Sequence, residues 1–241
     1  MSQCNDPENI DLEERARRIA QRLQQHVGMA ILMPHRGSGP DEIIHNATMT
    51  FVDTGNALLC ITSAHVYNKY MELRSGSPAT VLAVTGAFGR RPVATDNWEL
   101  IDSETRNLDI AILRPPYPEM VSDLGKEWFH PADWPPRPPK VGDLACLVGF
   151  PGAYRDSYRG NLYFKSVCVV DLITSVSYRH IVLADENLKR IIIRHHPEFK
   201  DLGSLAGMSG SAVYVYQEES KDLRLVGFVY EAGEGKDETP H

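Results

Sequence analysis

Three residues of this chain belong to types that, brought together in space, carry out nucleophilic acyl transfer. His65 follows one apolar run, Asp109 begins another, and Ser209 lies in a short segment that has glycines at 207 and 210. A serine hydroxyl is too weakly acidic to attack an amide unaided, so it needs a base within hydrogen-bond reach. Imidazole serves as that base because it exchanges protons near neutral pH, and a carboxylate can hold its ring in one tautomer. These residue types therefore indicate hydrolysis through a covalent serine intermediate.

The order and spacing of the three residues narrow this interpretation. A glycine-bracketed serine also occurs in α/β-hydrolases, but there the second glycine stands two residues after the serine, and the order is serine, acid, histidine. Here Gly210 follows Ser209 directly, and the order is histidine, aspartate, serine. Each motif alone is a weak signal, because histidines and aspartates at strand ends are commonly structural. The three in this order form a much stronger joint signal.

The segments around these residues are typical of β-strands. After Gly28, short runs rich in β-branched residues alternate with Gly, Pro, Asn and Asp, which predicts an all-β barrel or sandwich and argues against a parallel α/β sheet. The predicted strands are Met29–Met33, Thr48–Val52, Ala57–Thr62, Thr80–Val84, Asp109–Leu113, Leu144–Phe150, Ser166–Ile173, Ile181–Ala184, Arg190–Arg194, Ser211–Tyr216 and Leu223–Tyr230.

Two segments differ from this pattern. Before Gly28, apolar residues recur every three or four positions after a possible cap at Asp11, which predicts a helix on the outside of the core. Eight prolines fall within residues 115–140, a density that disfavours helices and strand ladders alike and predicts a linker. We therefore expect a helical extension at residues 1–28, a first β domain at 29–125 and a second at 126–241.

The motifs resemble those of trypsin-like serine proteases, and most closely those of the compact bacterial members. Thr62–Val66 is similar to the family's histidine motif, Asn107–Leu113 to its aspartate motif and Gly207–Ser211 to its serine motif, and the resemblance runs from about Met29 to Gly233. It implies two six-stranded antiparallel β-barrels of the chymotrypsin type. His65 and Asp109 would lie on the first barrel and Ser209 on the second.

The resemblance also implies roles for the residues. His65, Asp109 and Ser209 would form the catalytic triad, and the N–H groups of Gly207 and Ser209 an oxyanion hole, in a turn that only glycine adopts easily at 207. By the same resemblance, five residues would line the substrate pocket and favour an apolar or small side chain, although Glu231 could attract a basic one. They are Gly203, Ser204, Tyr230, Glu231 and Ala232.

Two departures from the family pattern affect activation. Secreted members carry an aspartate just before the nucleophile, which binds the new N-terminus after zymogen cleavage, whereas this chain has Met208. They also carry a disulfide cysteine after the histidine, whereas this chain has Val66. We therefore expect no activation by that route, and a protein made in an active-capable form or switched in another way.

Composition restricts the partners. The formal charge of −7 disfavours binding to nucleic acid or to an anionic membrane surface. No apolar stretch approaches the ~20 residues of a membrane span, and the polar N-terminus is unlike a secretory signal, so we expect a cytoplasmic protein with reduced cysteines. The histidines, including His195 and His196, lack metal-ligand spacing, so we expect no metal and no cofactor.

Two other functions stay open. The complete triad favours a serine endopeptidase that acts on protein or peptide substrates. A regulatory protein partner is a further expectation. Met208 and the unusual pocket suit a protease-fold module that binds or senses without turnover. A hydrolase of esters would use the same triad, and sequence does not separate it from a peptidase.

Overall fold

A computed structural model of the chain describes most of its length. It describes residues 17–36, 42–87, 90–104, 108–152, 155–158, 161–177, 180–183, 207–217 and 222–230. Residues 17–24 form helix α1, and two further helices follow, α2 (Ala64–Gly76) and α3 (Met120–Asp123). The first strands are β1 (Val27–Met33), β2 (His45–Asp53), β3 (Leu58–Ser63), β4 (Val81–Thr85), β5 (Val93–Ala94), β6 (Glu99–Glu104) and β7 (Ile110–Arg114). The later strands are β8 (Leu144–Gly149), β9 (Arg155–Tyr158), β10 (Asn161–Phe164), β11 (Val167–Val176), β12 (Ile181–Leu183), β13 (Ala212–Gln217) and β14 (Asp222–Phe228).

The strands assemble into two antiparallel sheets and a separate hairpin. The first sheet has the order β5-β4-β1-β2-β3-β7-β6, and the second has the order β12-β11-β8-β13-β14, with β9 and β10 paired on their own. The predicted fold class, mostly β with two antiparallel halves and an N-terminal helix, is confirmed. In the described residues the sheets have seven and five strands, against the six and six that the family resemblance implies.

The predicted strand positions agree closely with the structure. Each predicted strand that falls on described residues matches an observed one to within a few residues, because β-branched runs bounded by turn residues are a local signal. The predicted strand Arg190–Arg194 lies outside the described residues. The short strands β5 and β6 were not predicted, since Glu99–Glu104 is polar and largely exposed.

Helix α2 is a 13-residue helix that our sequence interpretation did not include. It begins directly after β3, with Ser63 at its N-cap position, and buries Val66, Tyr67 and Tyr70 against the first sheet. The local signal was present, since apolar residues at 66, 67 and 70 lie on one face and Gly76 ends the run. The histidine of the first motif therefore lies in the first turn of a helix.

Helix α1 packs on the outside of the core, as predicted for the part that the structure describes. Leu23 is fully buried, while Gln24 donates a hydrogen bond of 2.8 Å to the Ser166 hydroxyl just before β11. Nζ of Lys126 donates to the carbonyl of Gln24 at 2.8 Å, beside the end of the helix. The proposed cap at Asp11 lies outside the described residues.

The proline-rich segment contacts both sheets. It includes the short helix α3, in a stretch between Pro118 and Pro131 that contains no proline. Phe129 exchanges backbone hydrogen bonds with Phe51 and Asp53 of β2, and its ring meets the Tyr214 ring of β13 edge-on at 4.8 Å. Residues 115–140 therefore contact both sheets in addition to connecting them. The domain boundary within this segment stays a prediction.

One apolar cluster joins the two sheets. Met29 and Ile61 of the first sheet belong to the same buried cluster as Val148, Tyr214 and Leu225 of the second. Burial of this kind holds the two halves in a fixed relation. Among the described helices, none has both the length and the apolar character that crossing a lipid bilayer requires.

Candidate active site

Pairing between β3 and β7 brings the first two motifs together. Ser63 at the end of β3 lies opposite Ile110 at the start of β7. Because the strands are antiparallel, the chain that leaves β3 and the chain that enters β7 meet at the same edge of the sheet. His65 and Asp109 are the residues at that edge, although 44 positions separate them in sequence.

Asp109 contacts His65 at two points. Its Oδ2 lies 2.6 Å from Nδ1 of the imidazole, and its Oδ1 accepts a hydrogen bond of 2.7 Å from the backbone N–H of His65. A carboxylate only accepts, so the imidazole carries its proton on Nδ1 and presents Nε2 as its free basic nitrogen. This is the tautomer that a general base acting through Nε2 requires.

Asp109 also caps helix α2 from a distant part of the chain. The carbonyl of Asp109 accepts a hydrogen bond of 3.1 Å from Ala64 N–H, and its carboxylate binds the N–H of His65. The N-cap residue Ser63 makes no capping bond of its own, so Asp109 supplies partners for two N–H groups of the first turn. Its negative charge also suits the positive end of the helix dipole. Asp109 adopts a left-handed φ of 40°, a conformation that aspartate tolerates better than most residues.

Ser63 adds a second partner for the imidazole. Its buried Oγ lies 2.7 Å from Nδ1 of His65 and donates a hydrogen bond of 3.2 Å to Oδ2 of Asp109. The Nδ1 proton is therefore shared between the carboxylate and a hydroxyl that itself binds the carboxylate. Our sequence interpretation quoted Ser63 within the histidine motif but gave it no role. A polar residue inside an otherwise apolar strand end was the available signal.

Ser209 lies in a tight turn that two glycines make possible. Gly207 has a φ of 97° and Gly210 a φ of 88°, both in the left-handed region. A side chain on Gly207 would overlap the Asn46 amide, and one on Gly210 would overlap the Thr48 carbonyl. Between them Met208 is completely buried while Ser209 retains 8% exposure. The turn thus directs the methionine into the core and leaves the serine slightly exposed.

The turn lies against the strand that leads to His65. A Cβ on Gly210 would stand 2.8 Å from Cα of Thr62, three residues before His65. Ser209 Oγ donates a long hydrogen bond of 3.5 Å to the carbonyl of Tyr230. Both Ser209 and His65 are described, and their side chains are not hydrogen-bonded to each other. The structure therefore joins His65 to Asp109 directly and places the Ser209 turn against Thr62 near the end of β3.

Two backbone N–H groups of the turn make no backbone hydrogen bond within the described residues. Across the described residues, the N–H groups of Gly207 and Ser209 donate to no backbone carbonyl, whereas Gly210 N–H and Ser211 N–H donate to the carbonyls of Val229 and Met208. An oxyanion hole needs two such donors that are not already engaged. The oxyanion hole at Gly207 and Ser209 stays a prediction.

Solved structures that are similar to this chain include three proteases. The serine protease domain of the Sesbania mosaic virus polyprotein is 18% identical over 83% of this chain and 86% of that chain, with a TM-score of 0.40. The protease Anisep from Arthrobacter nicotinovorans is 12% identical over 83% and 81%, with a TM-score of 0.39. The thermostable serine protease AL20 from an extremophilic microorganism is 14% identical over 64% and 68%, with a TM-score of 0.38. No protein-family model and no curated protein sequence matches this chain.

The chain is thus similar, at low identity, to these serine proteases. Identities this low concern the fold and carry nothing about activity, for which the argument comes from the residues themselves.

Most of the predicted substrate pocket falls outside the described residues. Gly203, Ser204, Glu231 and Ala232 lie there, and only Tyr230 is described. The Tyr230 ring stacks at a tilt against His180, with the ring centroids 5.5 Å apart. The pocket and its preference for apolar side chains stay predictions.

The surroundings of the site contain another histidine but no activated thiol among the described cysteines. Partial burial lowers the pKa of His45, and the neighbouring His65 and Lys69 lower it further. Cys60, Cys146 and Cys168 are free, and burial raises the pKa of Cys146 and of Cys168 to about 12. These thiols are poor nucleophiles at neutral pH. Within the described ranges, no group of three histidine, cysteine or acidic residues is arranged to hold a metal ion.

Proposed function

We propose that this protein is a serine endopeptidase that cleaves protein or peptide substrates with Ser209, His65 and Asp109. The observation that carries the proposal is the double contact of Asp109 with His65, which puts the ring proton on Nδ1 and leaves Nε2 as the basic nitrogen. A carboxylate bound only to the helix would act as a cap. One that also holds Nδ1 sets the tautomer for proton transfer.

The chemistry follows from these positions. Ser209 Oγ attacks the substrate carbonyl carbon while His65 Nε2 takes its proton, which requires the hydroxyl to leave the Tyr230 carbonyl and turn toward the ring. The N–H groups of Gly207 and Ser209 stabilise the oxyanion, each contributing about 3 kcal/mol. The intermediate expels the amine, which receives the proton from His65. Water then attacks the acyl-enzyme with His65 again as base, releasing the acid and free Ser209.

A second candidate is a protease-fold module that binds without turnover. The Ser209 hydroxyl contacts the Tyr230 carbonyl rather than His65, an arrangement that suits a latent or silent site as well as a resting enzyme. Hydrogen bonds in resting active sites are often long and shorten only with substrate bound. A regulatory partner and a cytoplasmic location are further parts of the proposal.

The test is labelling by a fluorophosphonate probe, followed by mass spectrometry of the modified peptide. We expect modification at Ser209, loss of labelling in Ser209→Ala, and strong loss in His65→Ala. Ser211→Ala is a matched control, because Ser211 lies two residues away and its buried Oγ has no hydrogen-bond partner in the described structure. Labelling that persists in Ser209→Ala would assign the reactive group to another residue, and absence of labelling in a folded wild-type protein would favour the silent module; either result contradicts the proposed enzyme.

A second measurement separates peptides from esters. Digestion of a peptide library by the wild-type protein should produce new termini that Ser209→Ala does not produce. Turnover of activated esters without any peptide cleavage would assign the triad to ester hydrolysis instead. The sequence of the cleaved peptides would also report on the pocket that Tyr230 borders.

A further inference from the structure

Strand β2 carries two buried threonines side by side. Thr48 and Thr50 are both completely buried, and a spacing of two places their side chains on the same face of the strand. A buried hydroxyl is stable only when it is hydrogen-bonded, so each must have partners. Those partners lie on the segment that carries Ser209 and on the residue that follows β8.

Thr48 binds the turn from both its backbone and its side chain. Its N–H donates to the carbonyl of Ser209 at 3.0 Å, and its Oγ1 donates to the carbonyl of Gly207 at 2.9 Å. The same Oγ1 accepts a hydrogen bond of 3.0 Å from the N–H of Phe150. Thr48 therefore ties the turn to its own strand and to the end of β8.

Thr50 repeats the arrangement two residues further along. Its Oγ1 donates to the carbonyl of Gly210 at 2.8 Å and accepts from the N–H of Ala212 at 3.1 Å. These contacts span 160 and 162 positions of sequence. The Thr50 hydroxyl thus takes the place of a backbone donor–acceptor pair between the first sheet and the segment leading into β13, whereas the Thr48 hydroxyl joins that segment to Phe150.

Together the two threonines hold three carbonyl groups of the turn. The carbonyls of Gly207, Ser209 and Gly210 all bond to β2. Because peptide units are planar, these bonds fix the 207–208, 209–210 and 210–211 peptide planes of the turn, while the Met208 carbonyl of the remaining 208–209 plane accepts from Ser211 N–H. The two threonine hydroxyls thus hold the planes at the two ends of the segment that carries Ser209.

We propose that Thr48 and Thr50 are positioning residues that hold the Ser209 turn in its reactive conformation through their hydroxyl groups. This inference rests on the proposed function, in which Ser209 is the nucleophile. Neither threonine contacts substrate in this scheme. They act through the peptide units of the turn, and a displacement of the nucleophile by about 1 Å costs on the order of 100-fold in rate.

The experiment removes each hydroxyl without changing the shape of the side chain. Thr48→Val and Thr50→Val keep the volume and the β-branch, whereas Thr48→Ser and Thr50→Ser keep the hydroxyl. Thr54→Val is the matched control, because Thr54 Oγ1 has the same donor and acceptor roles within its own turn, toward the carbonyl and N–H of Ala57. All five variants are made in the full chain.

The first readout is the rate of fluorophosphonate labelling at Ser209. We expect each valine variant to react about 100-fold more slowly, and the serine variants and Thr54→Val to react at close to the wild-type rate. With a cleavable peptide, the loss should fall on kcat while KM is unchanged, because the hydroxyls do not touch substrate. Folded valine variants that react at the wild-type rate would overturn the proposal.

The second readout does not depend on activity. The N–H groups of Phe150 and Ala212 donate to the two hydroxyls, so their amide hydrogens should exchange faster in Thr48→Val and Thr50→Val respectively, and remain protected in the serine variants. If the wild-type protein is not labelled, the proposed function fails. The exchange rates of these two amides then decide by themselves whether the threonine hydroxyls hold the turn. If a valine variant does not fold, the exchange of the Phe150 and Ala212 amides in the wild-type protein is measured instead. Exchange as fast as in exposed loops would show that the threonine hydroxyls do not hold the turn.

Discussion

Asp109 binds His65 through both carboxylate oxygens, one on the imidazole Nδ1 at 2.6 Å and one on the backbone N–H at 2.7 Å. One residue therefore sets both the tautomer of the ring and the start of helix α2. The two roles respond differently to substitution, which makes them separable.

Asp109→Asn should abolish most activity while retaining most of the fold. The amide oxygen can still accept from the helix N–H, but the side chain no longer enforces a proton on Nδ1, so the wrong tautomer becomes populated. We expect a loss of labelling rate on the order of 10⁴-fold. Asp109→Ala should lose as much activity and in addition about 1 kcal/mol of unfolding free energy through the missing cap. Equal stability of the two variants in urea would contradict the capping role.

Ser63→Ala should reduce reactivity to a smaller extent. The hydroxyl shares the Nδ1 proton with Asp109 and donates to that carboxylate, so its loss frees the ring to rotate. We expect labelling about 10-fold slower, equivalent to about 1.4 kcal/mol. The far-downfield proton resonance of His65 Nδ1–H should also shift. Ser75→Ala, on the exposed face of the same helix, should change neither quantity; an unshifted resonance in Ser63→Ala would remove Ser63 from the network.

Met208→Asp should destabilise the fold, although the secreted proteases whose serine motif this chain resembles carry aspartate before the nucleophile. Met208 is fully buried in a cluster with Leu147, Val167 and Val169, which offers no charge to pair with a carboxylate. We expect a loss of about 3–5 kcal/mol of unfolding free energy, against less than about 1.5 kcal/mol for Met208→Leu. Denaturant titration measures both. A folded Met208→Asp as stable as Met208→Leu would show that a cation reaches the site.

The stability of the protein should fall as the pH drops below about 6.5, with His26 contributing. Burial lowers the pKa of His26 below its ordinary value of 6.5; Glu127 opposes this shift, while Arg22 and His130 lower the pKa slightly further. The unfolded chain therefore takes up a proton near pH 6.5 that the folded chain refuses, so the stabilisation present above that pH is lost as pH falls toward the folded pKa. One proton gives a slope of up to about 1.4 kcal/mol per pH unit.

The matched variant for this prediction is His26→Asn. The Nδ1–H of neutral His26 donates to the carbonyl of Glu127 at 3.1 Å, and the asparagine amide can make the same bond without titrating. Urea unfolding at pH 7.5 and at pH 5.5 should show a smaller difference in the variant than in wild type. Identical differences in the two proteins would assign the acid sensitivity to other groups.

Local pattern accounts for what sequence could predict. Strand positions such as those around Met29–Met33 and Leu144–Phe150 follow from runs of β-branched residues between turn residues, and the glycine at 207 marked a turn that needs a left-handed φ. Helix α2 was not predicted although its signals are local, because its apolar positions follow directly on the apolar strand β3.

The sequence by itself determined the residue types of the site, their order along the chain and the β character of the halves that carry them. Only the tertiary structure decided that Asp109 caps the helix bearing His65, that Ser63 shares its proton, and that Thr48 and Thr50 bind the Ser209 turn. These contacts join positions up to 160 residues apart, and their geometry depends on strand register and on which buried hydroxyl meets which carbonyl. Periodicity carries no information on such hydrogen bonds, because they arise only when β3 pairs with β7 and when the two sheets pack together.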